Sequence, residues 1–500
     1  MRKVRGKRKR VMGKRLLYSL MLCFTLLLLG MFDFAVAAPG AKPYTELRFA
    51  PIPEVKLPKY DRFVLQNGMV VYLMEDRELP LVSGSALVRT GDRFESADKI
   101  GLAEFTGEVM RTGGTRKHTP DQLNQMLEQR AASVETSIGE TSAGAGFESL
   151  TEDLETVFGL FAEVLREPVF AADKLELAKT QEKGSISRRN DDPDDIASRE
   201  FGKLIYGKDS PYARTTEYAT IDKISREDLS QFYQQYFYPN NMILGIVGDF
   251  DSKKMRELVQ AKFGDWKANP NLPKLQLPAV KQAKTGGVFF VNQPQLTQSN
   301  ILIGHLGGQF NSPDYPALGV LNEVLNGFGG RLFNEVRSRQ GLAYSVYGSW
   351  NPRYDYPGLF IAGGQTRSDA TVQFVKAMQT QIKRTQAEKV TPKELAFAKE
   401  STLNSFVFNF QDPTQTLSRL MRYEYYGYPA DFLFRYQKAV AATTVDDVQR
   451  VAQKYLKPEN MVTLVVGNQT AINPPLTQLA AQVTAIDVTI PGSPQPQAQN

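Results

Sequence analysis

Residues 236–250, YFYPNNMILGIVGDF, line up with residues 455–469, YLKPENMVTLVVGNQ, at an offset of 219. Upstream, at an offset of 220, Ala178-Lys179 matches Ala398-Lys399, Asp192-Pro193 matches Asp412-Pro413, and Tyr206-Gly207 matches Tyr426-Gly427. A solenoid unit repeats every ~20 to 50 residues, so a period this long marks a duplicated domain. The chain must therefore build the same core twice, and 500 residues with 42% hydrophobic content suffice for that. The duplicated domains are expected over 60–268 and 287–470. A Pro-, Asn- and Lys-bearing linker over 269–286 joins them. A Pro-rich lead-in precedes them over 39–59 and a polar tail follows over 471–500; its last stretch, IPGSPQPQAQN, and the lead-in are expected to be poorly ordered.

Within each half, strand and helix signals alternate irregularly. FVLQNGMVVYLM places β-favouring residues on both sides of Asn67-Gly68, a hairpin pattern. PDQLNQMLEQRAA and LTEDLETVFGLFAEVLRE space their apolar residues at three and four, as amphipathic helices do. REDLSQFYQQYF reads as a helix closed by Pro239, followed by the apolar strand of PNNMILGIVGD. Hairpins beside long helices favour an α+β fold, with helices layered on a mainly antiparallel sheet, over a doubly wound parallel one.

The first fifteen residues carry nine Lys or Arg and no acid, and LLYSLMLCFTLLLLGMFDFAVAA follows directly. This is a basic n-region, an h-region and a small-residue cleavage site near Ala37 or Ala38, so residues 1–38 read as a signal peptide. The reading implies an exported protein, periplasmic or secreted, that is membrane-anchored only if this segment stays uncleaved. Without it the net charge falls from +6 to about −2, so the basic character belongs to the leader. No nucleic-acid motif remains in the mature chain. The single cysteine, Cys23, lies inside the leader, which excludes disulfides, Cys-ligated zinc and a Cys nucleophile from the mature protein.

GLAEFTGEVMRTGGT (residues 101–115), LQNGMVVYLMED, the YPNNM-type strand entries of both halves and RLFNEVRSRQGLAYSV together resemble the M16 metallopeptidases, the insulinase and mitochondrial-processing-peptidase-like family. The resemblance spans most of residues 60–470. It implies two homologous domains that form half of a clam-shell closing on a peptide. In that family a G-x-A-H-x-x-E-H helix supplies two zinc-binding histidines and a glutamate base, and a distant glutamate completes the metal site. Here the corresponding positions hold Glu104, Gly107 and Glu108, and counting back from Asp192-Pro193 puts Ser185 at the third-ligand position. Glu104 and Glu108 share a helix face, but two carboxylates without imidazole suit only weakly held hard ions. The expectation is therefore two solvated or locally paired acids, no metal held by this chain and no catalytic residue in it. His118 is expected in a surface loop ahead of a helix capped by Thr119, and His305 in a strand with a core or interface hydrogen bond.

The second half retains what the first lacks. The resemblance assigns Arg337 and Tyr344 to substrate binding near the scissile bond. Arg337 is expected near the end of a helix stopped by Gly341, and Tyr344 at the start of the strand YSVYGSW. The plainer account pairs Arg337 with Glu335 and buries Tyr344 in the core. NGFGGRLF lacks both the GKS/GKT ending and the G-x-G-x-x-G spacing, which argues against a nucleotide site. The implied function is a non-catalytic, substrate-binding subunit. Zinc belongs to a partner M16 chain with intact H-x-x-E-H, and the ligands are unfolded or extended peptides, bound by strand addition to a sheet edge. The alternatives are a structural scaffold without peptidase role and, less in keeping with the residues, a self-sufficient hydrolase of unusual metal chemistry.

Overall fold

The hairpin at Asn67-Gly68 forms as expected, with β1 (Asp61–Val64) antiparallel to β2 (Val70–Glu75). These strands come from a computed structural model that describes residues 55–492 apart from residue 328. The leader, Cys23, the lead-in up to residue 54 and the last eight residues lie outside the described residues. β3 (Leu81–Val88), β4 (Ser133–Ile138), β5 (Ala143–Leu150) and β6 (Met242–Gly248) complete a first sheet in the order β1-β2-β6-β3-β5-β4. Only β2 and β6 run parallel. The second sheet contains β7 (Val288–Asn292), β8 (Gln298–Leu306), β9 (Val346–Asn351), β10 (Leu359–Arg367), β11 (Val462–Gly467) and β12 (Val483–Ala485), in the order β12-β7-β11-β8-β10-β9. Five strands correspond in order and direction, β2-β6-β3-β5-β4 with β7-β11-β8-β10-β9. The fold is α+β, with two like domains, each a mainly antiparallel sheet packed with helices.

Several sequence landmarks of the repeat are helix ends. Asp192 accepts from the backbone N–H groups of Asp194 and Asp195 to start the helix Pro193–Tyr206, and Asp412 does the same through Thr414 and Gln415 for Pro413–Tyr426. Both put Pro at the first helical position, where no amide is lost. The helices Arg226–Tyr236 and Val445–Tyr455 each begin with a capping box, Ser225/Asp228 and Thr444/Asp447. Thr119 caps Pro120–Glu128 with Gln122 returning the bond.

The Asp-Pro helices are exchanged between the halves. Ile196, Ala197, Phe201, Leu204 and Ile205 of the first half pack on Phe289, Val291, Leu302, Val462 and Leu464 of the second sheet. Reciprocally, Leu417, Leu420, Met421 and Tyr425 pack on Tyr72, Met74, Ile243 and Val247 of the first. Gly245 at the centre of β6 makes room for this: a Cβ there would fall on Met421 Sδ. The exchange makes one compact unit from Leu57 onward, held further by Arg62 and Tyr72 on the Glu424 carboxylate at 2.8 Å each.

Residues 269–286 contain no helix or strand, and Ala283 and Lys284 bond back to Ile205 and Leu204. The expected polar tail is corrected up to Gly492. β12 pairs with β7, Ile486 N donates to Phe290 O at 2.8 Å, Asn190 Nδ2 donates to Val488 O at 2.7 Å, and Ile490 joins the first core. Val483, Ile486, Val488 and Ile490 bury enough apolar surface to order a segment whose composition looks polar. No helix among the described residues is long and apolar enough to cross a membrane.

Candidate functional site

The motif helix spans Leu102–Thr112. Its N-terminus is held by Glu95, whose carboxylate accepts from Gly101 N (3.1 Å) and Ala103 N (2.9 Å), satisfying amides that have no partner inside the helix. Burial nevertheless pushes the Glu95 carboxyl up to about 7, against those two bonds. The other side of the helix lies on the edge strand β4. Thr136 Oγ1 donates to Gly107 O, and Arg111 Nε donates to Val134 O at 2.7 Å. A Cβ at Gly107 would meet Ile138 N at 2.5 Å and the Ser137 backbone at 2.8–2.9 Å. The backbone of β4 therefore occupies the space a catalytic base at position 107 would need, and backbone yields far less readily than a side-chain tip.

Glu104 and Glu108 do share a face. Desolvation raises both carboxyls, and Glu108 adds to the rise at Glu104. The third carboxylate facing them is Glu182 on the helix Ala172–Arg188, pushed up to about 7 by burial and then by Glu104 and Glu108. Ser185, the position reached by counting, is exposed one turn further on. Glu182 was missed because only the landmark spacing was used; its i−3 relation to Ser185 puts it on the same helix face. Among the described residues none of these three carboxylates has a side-chain hydrogen bond or ion pair. Asp92, beside the helix start, is raised to about 6 by burial and by Glu140.

This donor set does not fit the family's zinc site. It has no imidazole, the base position is shut, and among the described residues no three His, Cys, Asp or Glu side chains are arranged to hold a metal ion. The two histidines are engaged elsewhere. His118 Nδ1 lies 2.8 Å from Glu163 Oε2. His305, buried on β8, bonds Leu306 O through Nδ1 (2.8 Å) and accepts from Lys457 N at Nε2 (3.1 Å).

Arg337 lies in a π-helical segment, Phe333–Arg339, that ends at Gly341. Tyr344 sits in a bend two residues before β9 rather than in the strand. Leu342 N bonds back to Val336 O, which closes the helix and leaves Tyr344 to project. The guanidinium lies 4.9 Å from the Tyr344 ring centre and 4.6 Å from that of Phe333, a cation–π arrangement that orients the fork while leaving its N–H donors available. The plainer account fails on both counts. Glu335 pairs with Arg339 at 2.9 Å, and Tyr344 is 86% exposed.

In the second half the counterpart of the motif helix is Tyr315–Leu325, where NEVLN matches GEVMR, so Asn322 corresponds to Gly107 and Asn326 to Arg111. Asn322 brackets Trp350, with Nδ2 donating to its O (3.0 Å) and Oδ1 accepting from its N (2.7 Å). Asn326 brackets Gly348 in the same way at 2.7 and 2.9 Å. The outward backbone groups of Gly348 and Trp350 on the edge strand β9 are thereby paired.

Residues 71–210 match Insulinase (Peptidase family M16), and residues 223–402 match Peptidase M16 inactive domain. The chain belongs to the M16 peptidase family. This M16 chain is 24% identical over 362 residues to the uncharacterized zinc protease YmxG of Bacillus subtilis, covering 72% of this chain and 86% of that protein. A crystal structure of a peptidase M16 inactive domain from Pseudomonas fluorescens is 26% identical, with a TM-score of 0.74 over 83% of this chain and 99% of that one. The periplasmic protease PqqL from Escherichia coli shares the fold at 15% identity, with a TM-score of 0.68 over 84% of this chain and 47% of PqqL. The M16 chain is thus protease-like, with a structural relative described as inactive.

Proposed function

We propose that this M16 chain is the non-catalytic, substrate-binding subunit of an exported heteromeric zinc metalloendopeptidase. The observation that carries the reading is the Arg337–Tyr344 pair: an exposed hydroxyl and an oriented guanidinium able to donate to a peptide carbonyl, or to the charge developing on it. The closed position at Gly107 supports the same reading from the other half, because no side chain there can activate water. Zinc is supplied by a partner M16 subunit with intact H-x-x-E-H. The ligands are unfolded or extended peptides, with no role for nucleic acid, and the membrane is involved only if the leader is retained. Strand addition at β9 is disfavoured at Gly348 and Trp350, whose outward groups the two asparagines already occupy.

The test is co-expression with an M16 chain that carries the intact motif, followed by metal analysis and peptide cleavage. One zinc per pair is expected and none on this chain alone. Arg337→Ala with Tyr344→Phe should lower kcat/KM of the complex about a hundredfold while the subunits still assemble. Unchanged cleavage by that variant would favour a scaffold. A transition metal held tightly by the isolated chain would refute the reading.

A further inference from the structure

Three cavities adjoin, the middle one lined by both halves. One of about 300 Å³ beside the motif helix is lined by Asp92, Glu104 and Glu140. The next, about 280 Å³, is lined by Glu140, Thr141, Arg353, Asp355, Tyr356 and Arg422. The third, about 600 Å³ in the second half, again has Arg353 in its wall. Glu140 is shared by the first two and Arg353 by the last two.

The charges of the middle cavity do not cancel. Asp355 is engaged through Oδ2 by Arg93 Nη2 at 2.7 Å. Arg93 is 4% exposed and keeps Nε and Nη1 unpartnered behind the wall. Glu140 faces the Tyr356 hydroxyl, and burial raises its carboxyl. The Tyr425 and Tyr426 hydroxyls are turned to Thr141, at 2.5 and 2.8 Å, and serve as wall rather than as donors. Arg353 and Arg422 remain. Among the described residues neither side chain makes a hydrogen bond or an ion pair; both line this cavity and are exposed, and Arg353 also lies in the field of Glu140. Three guanidinium groups thus stand against two carboxylates, one already paired and the other holding its proton more readily than an ordinary glutamate. A guanidinium is a planar fork of donors matched to a carboxylate.

We propose that Arg353 and Arg422 form a carboxylate-binding subsite that anchors a carboxylate of the bound peptide. The proposal deepens, and rests on, the peptide-binding reading above. The carboxylate comes either from a free C-terminus or from an Asp or Glu side chain.

The test is a fluorescence-anisotropy titration of the full chain, alone and in its complex, with a fluorescein-labelled peptide of about ten Gly, Ala, Ser and Leu residues. It is used as the free acid, as the C-terminal amide, and as an amide carrying one Glu near its end. The free acid, the Glu-bearing amide or both should bind about tenfold more tightly than the plain amide, and Arg353→Gln with Arg422→Gln should erase that difference while the plain amide binds as before. Tight binding of the Glu-bearing amide assigns the side chain as the source; weak binding assigns the C-terminus. Arg337→Ala with Tyr344→Phe should weaken acid and amide alike. Equal binding of all three peptides by the unaltered protein overturns the subsite and leaves the peptide reading standing, whereas no binding in any arm overturns both. Should the double Gln variant fail to fold, the gap between acid and amide must shrink as salt is raised; a gap indifferent to salt refutes the charge pairing.

Discussion

In the first half the helix Leu102–Thr112 meets the edge strand β4 through a missing side chain; in the second, Tyr315–Leu325 meets β9 through two asparagines. The element order is the same, and EVM in one helix matches EVL in the other. Gly107 lets two backbones close directly, while Asn322 holds them apart and pairs with the strand. The acids diverge as well. Among the described residues Glu108 has no side-chain hydrogen bond or ion pair, whereas its counterpart Glu323 accepts from Ser401 Oγ at 2.7 Å. Duplication kept the scaffold and left each helix to settle with its edge strand by different chemistry, so the position turned toward the edge strand in both halves carries a water-activating acid in neither.

The exchanged helices bear on this comparison most strongly. Phe201→Ala should cost about 4 kcal/mol and Met421→Ala about 3, because each empties a buried contact with the opposite sheet. Urea unfolding should remain a single transition in both variants. Two separated transitions would show that the halves are independent and that the exchange does not couple them.

A smaller loss, about 2–3 kcal/mol, is expected from Gly107→Glu, since the new side chain must displace the Ser137–Ile138 backbone. Stability equal to the unaltered protein would mean that β4 yields and that the base position is open after all. Asn322→Ala should cost about 2 kcal/mol by leaving the Trp350 N–H and C=O unpaired. The uncovered edge should also promote self-association, visible by size-exclusion chromatography.

A pH dependence is also expected from the first half's facing carboxylates. The Glu182 carboxyl is raised from 4.5 to about 7, so the folded state holds a proton that the unfolded chain has released, and stability falls as pH rises across that interval. Glu182→Gln should therefore be more stable than the unaltered protein at pH 8, with the gain disappearing as pH falls toward 4.5. At the matching position of the second half, Thr402→Val should leave the pH profile unchanged.

The hairpin at Asn67-Gly68, the capping box at Thr119 and both Asp-Pro helix starts were legible because each is a signal carried within a few consecutive residues. Arg337 and Tyr344 could be singled out only through the family resemblance, and their stacking depends on the bend after Gly341. Counting along the chain led to Ser185 because counting ignores which side of a helix faces inward; the three-residue step back to Glu182 is a matter of helical phase. The segment after residue 470 read as a polar tail because its composition is polar on average, although its spaced Val and Ile residues find β7 and the first core.

The amino-acid sequence by itself determined that an α+β unit is built twice, where its helices and strands begin, and that the motif helix carries acids and glycine where imidazoles and a base would stand. These follow from local propensity, periodicity and residue chemistry, which act over a few positions. Only the tertiary structure decided that the Asp-Pro helices change places, that β4 fills the space beside Gly107, that Glu182 joins Glu104 and Glu108, and that Arg353 and Arg422 share one cavity. Each of those depends on the approach of groups far apart along the chain, where packing, desolvation and charge act through distance in space rather than through position in sequence.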